Sequence, residues 1–278
     1  MSAAGNRLQV PGRCRQRICL SPLPLGKTIP YNRDVQFRLT LLLLLPFLNA
    51  ACASTEPDTA PPTSHIVCFV PGVSGDLGGY DGLKTAFQEA GATDLRAFHW
   101  GSAVFLLNFQ STSIHDTAEK DLAQRLSDWR KQKPDCQIDL IGHSAGGGVI
   151  LGALGRLDEN LKVNHVILLA PSVSPGYNLV PALRHVNARI DLFYSSEDVV
   201  FLKWRTGTFG TYDNIRTPAA GHLGFTPNPP LPPDLTAKLV QHPYDPNWRE
   251  LGNDGSHMGP IAHDFVRKIV TPLLNSGG

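Results

Sequence analysis

The sequence predicts an α/β fold: a mostly parallel central sheet with helices on both faces, occupying residues 65–275. Three observations point there. Short apolar runs of strand length alternate with longer stretches whose apolar residues recur at helical spacing, the pattern of strands joined by crossover helices. Gly or Pro punctuates several of the joins. One apolar run passes through a Gly/Ser-rich turn straight into a helix-forming segment.

Taken in order, Ile66–Val70 is a compact apolar run ended by Pro71-Gly72 and reads as a buried strand. Tyr80–Ala90 spaces Leu83, Ala86, Phe87 and Ala90 as one helix face and stops at Gly91. Leu95–Trp100 is strand-like. Asp116–Lys133 reads as a helix with Ala118, Leu122, Leu126 and Trp129 on one side, broken by Pro134-Asp135. Gln137–Ile141 is the next strand, followed by the Gly/Ser turn and a small-residue helix reaching Leu157. Val163–Ala170 and Arg189–Tyr194 are further strands, and Pro260–Leu274 is the last helix. The connection from Ala170 to Ala188 has room for one small helix, so no large cap domain is expected there.

Composition narrows the function. The 278 residues carry a net charge of +1, which gives no reason to expect nucleic acid or an anionic surface as the partner. Five cysteines, without a Cys-x-x-Cys pair, form neither a disulfide framework nor a structural zinc site, and no metal or cofactor is expected. Cys68, inside an apolar run, reads as a small core residue. Oligomeric state is not legible.

Residues 1–38 are basic, with Asp34 the only acid, and lack lasting periodicity; they read as an unstructured extension. Leu39–Leu48 is too short to span a bilayer but has the length of a signal-peptide apolar core, with Arg38 before it and small residues after it. Signals normally start near the N-terminus, so this position points to a translation start at Val35. The segment 39–52 ends Asn49-Ala50-Ala51-Cys52, which resembles a bacterial lipoprotein signal. That resemblance implies a lipidated Cys52 and membrane attachment. Asn49 stands where such signals usually carry an apolar residue, and simple cleavage near Ala51 or Ala53 is the alternative. Either way the protein is expected to be exported, to the cell envelope or beyond it. Residues 53–64, with three prolines among Ser, Thr, Asp and Glu, read as a flexible tether.

The chemistry-bearing segment is Gly142-His143-Ser144-Ala145-Gly146, between an apolar strand and a helix. A nucleophile on so sharp a strand-to-helix turn projects its hydroxyl from the sheet edge, on a strained backbone. Side chains two residues before and after would collide, which Gly142 and Gly146 avoid. Ser144 also sits at a helix start, where free N–H groups favour negative charge. The alternative is a serine N-cap on a Gly-rich packed helix.

On these residues the chain resembles the α/β-hydrolase superfamily, from His65 to Leu274. The resemblance implies a later acid and a histidine near the C-terminus, in the order Ser, Asp, His. Asp198, just past the strand Arg189–Tyr194, takes the acid's place, with Glu197 as fallback. His257, in the loop Asn253–Gly259, takes the base's place. His222 is its competitor, His263 falls inside the last helix, and Asp254 is too near His257 in sequence to orient it. The oxyanion donors implied are the backbone N–H of Ala145 and that of Val73, with Gly72 next. Pro71-Gly72 stands where many members have His-Gly, but a backbone donor survives that change.

Such a triad implies a carboxylic-ester hydrolase acting through an acyl-enzyme on a small-molecule or lipid ester. The loops Gly101–Ile114 (with Phe105, Leu106, Leu107 and Phe109) and Thr217–Pro233 are candidate walls for an acyl chain. An acyltransferase, thioesterase or peptidase would use the same triad. A non-catalytic cell-envelope binding protein is the reading from another class.

Overall fold

The computed structural model describes residues 60–75, 79–102 and 107–275, all within the compact unit Leu48–Gly278. Six strands build its sheet: β1 (His65–Val70), β2 (Leu95–Ala97), β3 (Gln137–His143), β4 (His165–Leu169), β5 (Ile190–Tyr194) and β6 (Leu239–Pro243). Their order is β2-β1-β3-β4-β5-β6 and every neighbouring pair is parallel. Parallel strands sandwiched between helices are buried on both faces and so read as continuous apolar runs. β6 has no such signature. It is a half-exposed edge strand containing Gln241 and His242, and the apolar pattern does not announce it.

Ile66, Cys68, Val70, Leu140, Val166, Leu168 and Leu192 point to one face. There they pack with α2 (Thr112–Gln132), α3 (Ala145–Leu154) and α4 (Val180–Arg184), the one small helix expected between β4 and β5. Val67, Phe69, Ile141, Ile167, Leu169 and Phe193 point the other way. They meet α1 (Asp81–Glu89) and a C-terminal helical stretch that starts at His263 and runs through Val266–Val270 and Thr271–Asn275.

Several boundaries move. β2 stops at Ala97 rather than Trp100. α2 starts four residues before Asp116, because the Ser111 hydroxyl caps it by accepting the Ile114 N–H. α3 ends at Leu154, short of Leu157. Ala90 is the exposed end of α1 rather than part of its buried face. The last helix does not begin at Pro260: Gly259–Ile261 form a 3₁₀ turn, and Ala262 (ψ 136°) is extended before the helix starts. The longest connection, residues 195–238, lies between β5 and β6 and holds a π-helical segment, Val200–Arg205, and a short helix α5 (Ala220–Leu223).

The extension 1–38, the segment 39–52 with Cys52, and residues 53–59 of the expected tether lie outside the described residues. From Ala60 the chain already lies on the domain. Arg96 donates to the carbonyls of Ala60 and Pro61, and the Thr63 N–H donates to Asp94. Among the described residues, no helix is long and apolar enough to cross a membrane.

Candidate active site

In open parallel sheets, loops at the carboxyl ends of the strands converge to form the site. Here those loops follow β1, β3 and β5, and a fourth precedes the C-terminal helical stretch. Ser144 directly follows β3 and starts α3 with φ 55° and ψ −124°, in a region costly for a residue with a Cβ. Its hydroxyl makes no capping hydrogen bond to α3, which argues against a serine N-cap. The two glycines have steric reasons. A Cβ on Gly142 would come within 2.8 Å of the Gly147 backbone and of Ile150. A Cβ on Gly146 would run into the carbonyl oxygens of Val70 and Pro71, at the end of β1.

The loop before the C-terminal helices brings His257 to this turn. His257 Nε2 lies 3.0 Å from Ser144 Oγ, and Nδ1 lies 2.7 Å from Asp198 Oδ2. A carboxylate only accepts, so Nδ1 carries the proton and Nε2 is left to accept from the serine hydroxyl. All three side chains are buried. Asp198 Oδ1 also accepts the Leu202 N–H at 3.3 Å, which ties the acid to the segment after it. The Phe201 ring stacks on His257, with centroids 4.8 Å apart and planes 18° from parallel, yet stays 44% exposed.

The alternatives go elsewhere. Glu197 is exposed and faces Arg249 at 3.4 Å. His222 bonds to neither Ser144 nor Asp198, and its Nδ1 is buried without a partner among the described residues. His263 bridges Asp264 and Glu89. Exposed Asp254 accepts the Ser256 N–H. Among the described residues, no group of three His, Cys, Asp or Glu side chains could hold a metal ion.

The loop after β1 lies against the serine: a Cβ on Gly72 would sit 3.6 Å from Ser144 Oγ. Three side chains fix its peptides. Trp100 Nε1 donates to the Pro71 carbonyl at 2.8 Å, the Gly72 N–H donates to Tyr80 Oη at 3.0 Å, and Asn108 Nδ2 donates to the Val73 carbonyl at 3.0 Å. Gly72, the fallback donor, is thereby committed to Tyr80. The N–H groups of Val73 and Ala145 make no hydrogen bond among the described residues. Of the two candidate walls, residues 103–106, with Phe105 and Leu106, lie outside the described residues; Leu107 and, in the other loop, Leu223 are exposed.

Sequence reasoning missed Tyr80, Trp100, Asn108 and His143 as parts of the site, because each acts on a backbone group rather than on a reactive atom. The signal available was a histidine beside the serine in a segment otherwise built of small and apolar residues. His143 is buried, and its pKa falls to about 3. Burial is the main cause, with repulsion from His257 next, and its bond to the His257 carbonyl opposes both.

Residues 94–201 match a family described as "Alpha/beta hydrolase of unknown function (DUF900)". No curated protein matches the chain in sequence. Among solved structures, an acetylxylan esterase is 13% identical over 78% of this chain and 99% of its own, with a TM-score of 0.46. A lipase-esterase related protein from Clostridium acetobutylicum ATCC 824 is 11% identical over 79% and 96%, with a TM-score of 0.46. Phospholipase PlaB from Legionella pneumophila is 20% identical over 39% of this chain, with a TM-score of 0.32; the match spans 25% of that phospholipase's length.

Proposed function

We propose that this chain, whose fold is that of the α/β hydrolases, is a serine hydrolase of carboxylic esters. The observation that carries this reading is the unbroken row Ser144 Oγ, His257, Asp198, at 3.0 and 2.7 Å, on a serine held at φ 55°. Ser144 Oγ attacks the ester carbonyl carbon while His257 Nε2 takes the hydroxyl proton. The carbonyl oxygen gains the charge, and the N–H groups of Ala145 and Val73 are the donors assigned to it. The tetrahedral adduct collapses, His257 returns the proton to the leaving alkoxide, and the alcohol departs. Water then repeats the sequence on the acyl-enzyme and frees the acid. Asp198 stays ionised, holds the imidazole in one tautomer and stabilises the imidazolium.

An apolar rim supports an ester with a hydrophobic part, a small molecule or a lipid. Phe201 stacks on His257, and Val200 (70% exposed) and exposed Met258 are the chain neighbours of those two residues. In this reading the chain acts after export, either held at the cell envelope by a lipid on Cys52 or, after simple cleavage, without an anchor; for the anchored form the test is the cysteine. Cys52→Ala is then expected to leave the membrane fraction; unchanged membrane retention contradicts the anchor.

The test is hydrolysis of p-nitrophenyl acetate and longer-chain esters by the wild-type chain, Ser144→Ala and His257→Ala. The reading requires turnover by the wild type and loss of most of it in both variants. Loss in Ser144→Ala alone contradicts His257 as the base. An inert wild type contradicts the reading.

A further inference from the structure

Three hydrogen bonds outside the triad run in one direction through the interior. Gly72 N–H donates to Tyr80 Oη at 3.0 Å, Tyr80 Oη meets His143 Nδ1 at 2.9 Å, and His143 Nε2 meets the His257 backbone carbonyl at 2.9 Å. The carbonyl can only accept, so Nε2 of His143 carries the proton. A neutral imidazole then has a bare Nδ1, which accepts the Tyr80 hydroxyl proton, and the phenol oxygen is left to accept from Gly72. Along this chain the Tyr80 hydroxyl accepts and donates, His143 Nδ1 accepts and His143 Nε2 donates, and such chains strengthen their members. Tyr80 and His143 are both buried, and their rings meet edge-on with centroids 5.5 Å apart.

We propose that Tyr80 and His143 are positioning residues: their relay ties the loop carrying the Val73 amide to the loop carrying His257, and holds oxyanion donor and base in register around Ser144. The inference rests on the serine-hydrolase reading. Geometry supplies the reason for such a tie. The donor comes from the loop after β1, the nucleophile from the end of β3 and the base from a loop more than a hundred residues later (|i−j| 113 from Ser144). The helices that follow the first and the last, α1 and the C-terminal stretch, pack on each other through apolar side chains, and the relay adds a polar tie between the two loops themselves. His143 precedes the nucleophile, and its two ring nitrogens point to the two loops that must close on the serine. Turning the Gly72 amide toward Tyr80 leaves the next amide, Val73, as the free donor. Neutrality of His143 also matters. Its ring centroid is 4.8 Å from that of His257, which becomes a cation in each half-reaction, and a second charge there would oppose it.

The experiment measures kcat and KM for p-nitrophenyl acetate on the full chain, with thermal melts as a fold control. The variants are Tyr80→Phe, His143→Phe, His143→Gln and the double Tyr80→Phe/His143→Phe. Tyr80→Phe keeps the ring and is expected to lower kcat about tenfold or more, with KM within about twofold, since small misplacements cost up to about a hundredfold. His143→Phe is expected to do at least as much. His143→Gln offers one donor and one acceptor and is expected to recover most of the loss. The double variant should be no slower than the worse single, because both break one chain. The proposal is overturned if Tyr80→Phe retains wild-type kcat, if Gln and Phe at 143 are equally impaired, or if the two losses multiply. Should His143→Phe fail to fold, Tyr80→Phe and His143→Gln still decide. A wild type without turnover overturns the serine-hydrolase reading itself; a working wild type beside an unaffected Tyr80→Phe removes only the relay.

Discussion

Ser144 occupies a backbone conformation that only the packing around it can hold. Gly146 is the clearest support, since a side chain there meets two carbonyl oxygens of the neighbouring strand end. Backbone cannot swing aside as a flexible side chain can. Gly146→Ala is therefore expected to lower the melting temperature and abolish turnover together; a stable, active variant would show the turn to be softer than its geometry. At the acid, Asp198→Asn keeps the shape but allows the wrong imidazole tautomer, and kcat is expected to fall by about 10³–10⁴-fold. Glu197→Gln, one residue away and exposed beside Arg249, is expected to stay within about twofold. Equal losses at the two positions would reassign the acid.

At the scale of elements, legibility follows burial. β1, β3, β4 and β5 were readable because both faces are covered, and α2 because Ala118, Leu122, Leu126 and Trp129 recur at helical spacing on its buried side. Trp129→Ala should cost about 3–5 kcal/mol in chemical denaturation; a loss below about 1 kcal/mol would mean that face is not core. β6 was illegible because a half-exposed edge strand with Gln241 and His242 carries no apolar run. Ser144, Asp198 and His257 could be named because a turn, a strand end and a pre-helix loop each mark a place. The clamps Tyr80, Trp100, Asn108 and His143 could not, since their partners are backbone atoms of distant loops. The π-helical segment Val200–Arg205 adds a further feature, Phe201 laid over His257. Phe201→Ala is expected to raise KM several-fold for long-chain esters and to leave acetate little changed. Equal effects on both would make Phe201 a support for His257 rather than a substrate surface.

Among the described residues, buried polar clusters lie at both ends of the sheet. The carboxyl end carries the site. Near the amino end, buried Asp139 is held by His65, Gln137 and Asn164, and buried Asp191 by His165, His242 and Arg189. Burial alone would raise the Asp191 pKa, but the three hydrogen-bonded partners outweigh it and hold the carboxyl well below the usual range. A depressed folded pKa means the unfolded chain binds the proton first. Its stabilisation is then complete above the ordinary value of 3.8 and is lost as pH falls below it. His143 acts with the same sign over a higher window, from its ordinary 6.5 down to about 3. The melting temperature is thus expected to fall from about pH 6.5 downward, more gently in His143→Gln; equal melting at pH 7 and pH 4 would contradict the His143 assignment, and the absence of any further fall below the ordinary carboxyl value of 3.8 would contradict that of Asp191. Asp191→Asn is expected to cost about 3–5 kcal/mol, the usual result of breaking a buried charged cluster. Covalent labelling by an organophosphonate, with the adduct mapped by peptide mass, tests Ser144 as an activated nucleophile. One adduct is predicted, on Ser144, absent from Ser144→Ala and strongly slowed in His257→Ala and Asp198→Asn. No adduct on the wild type, or one on another residue, would contradict it.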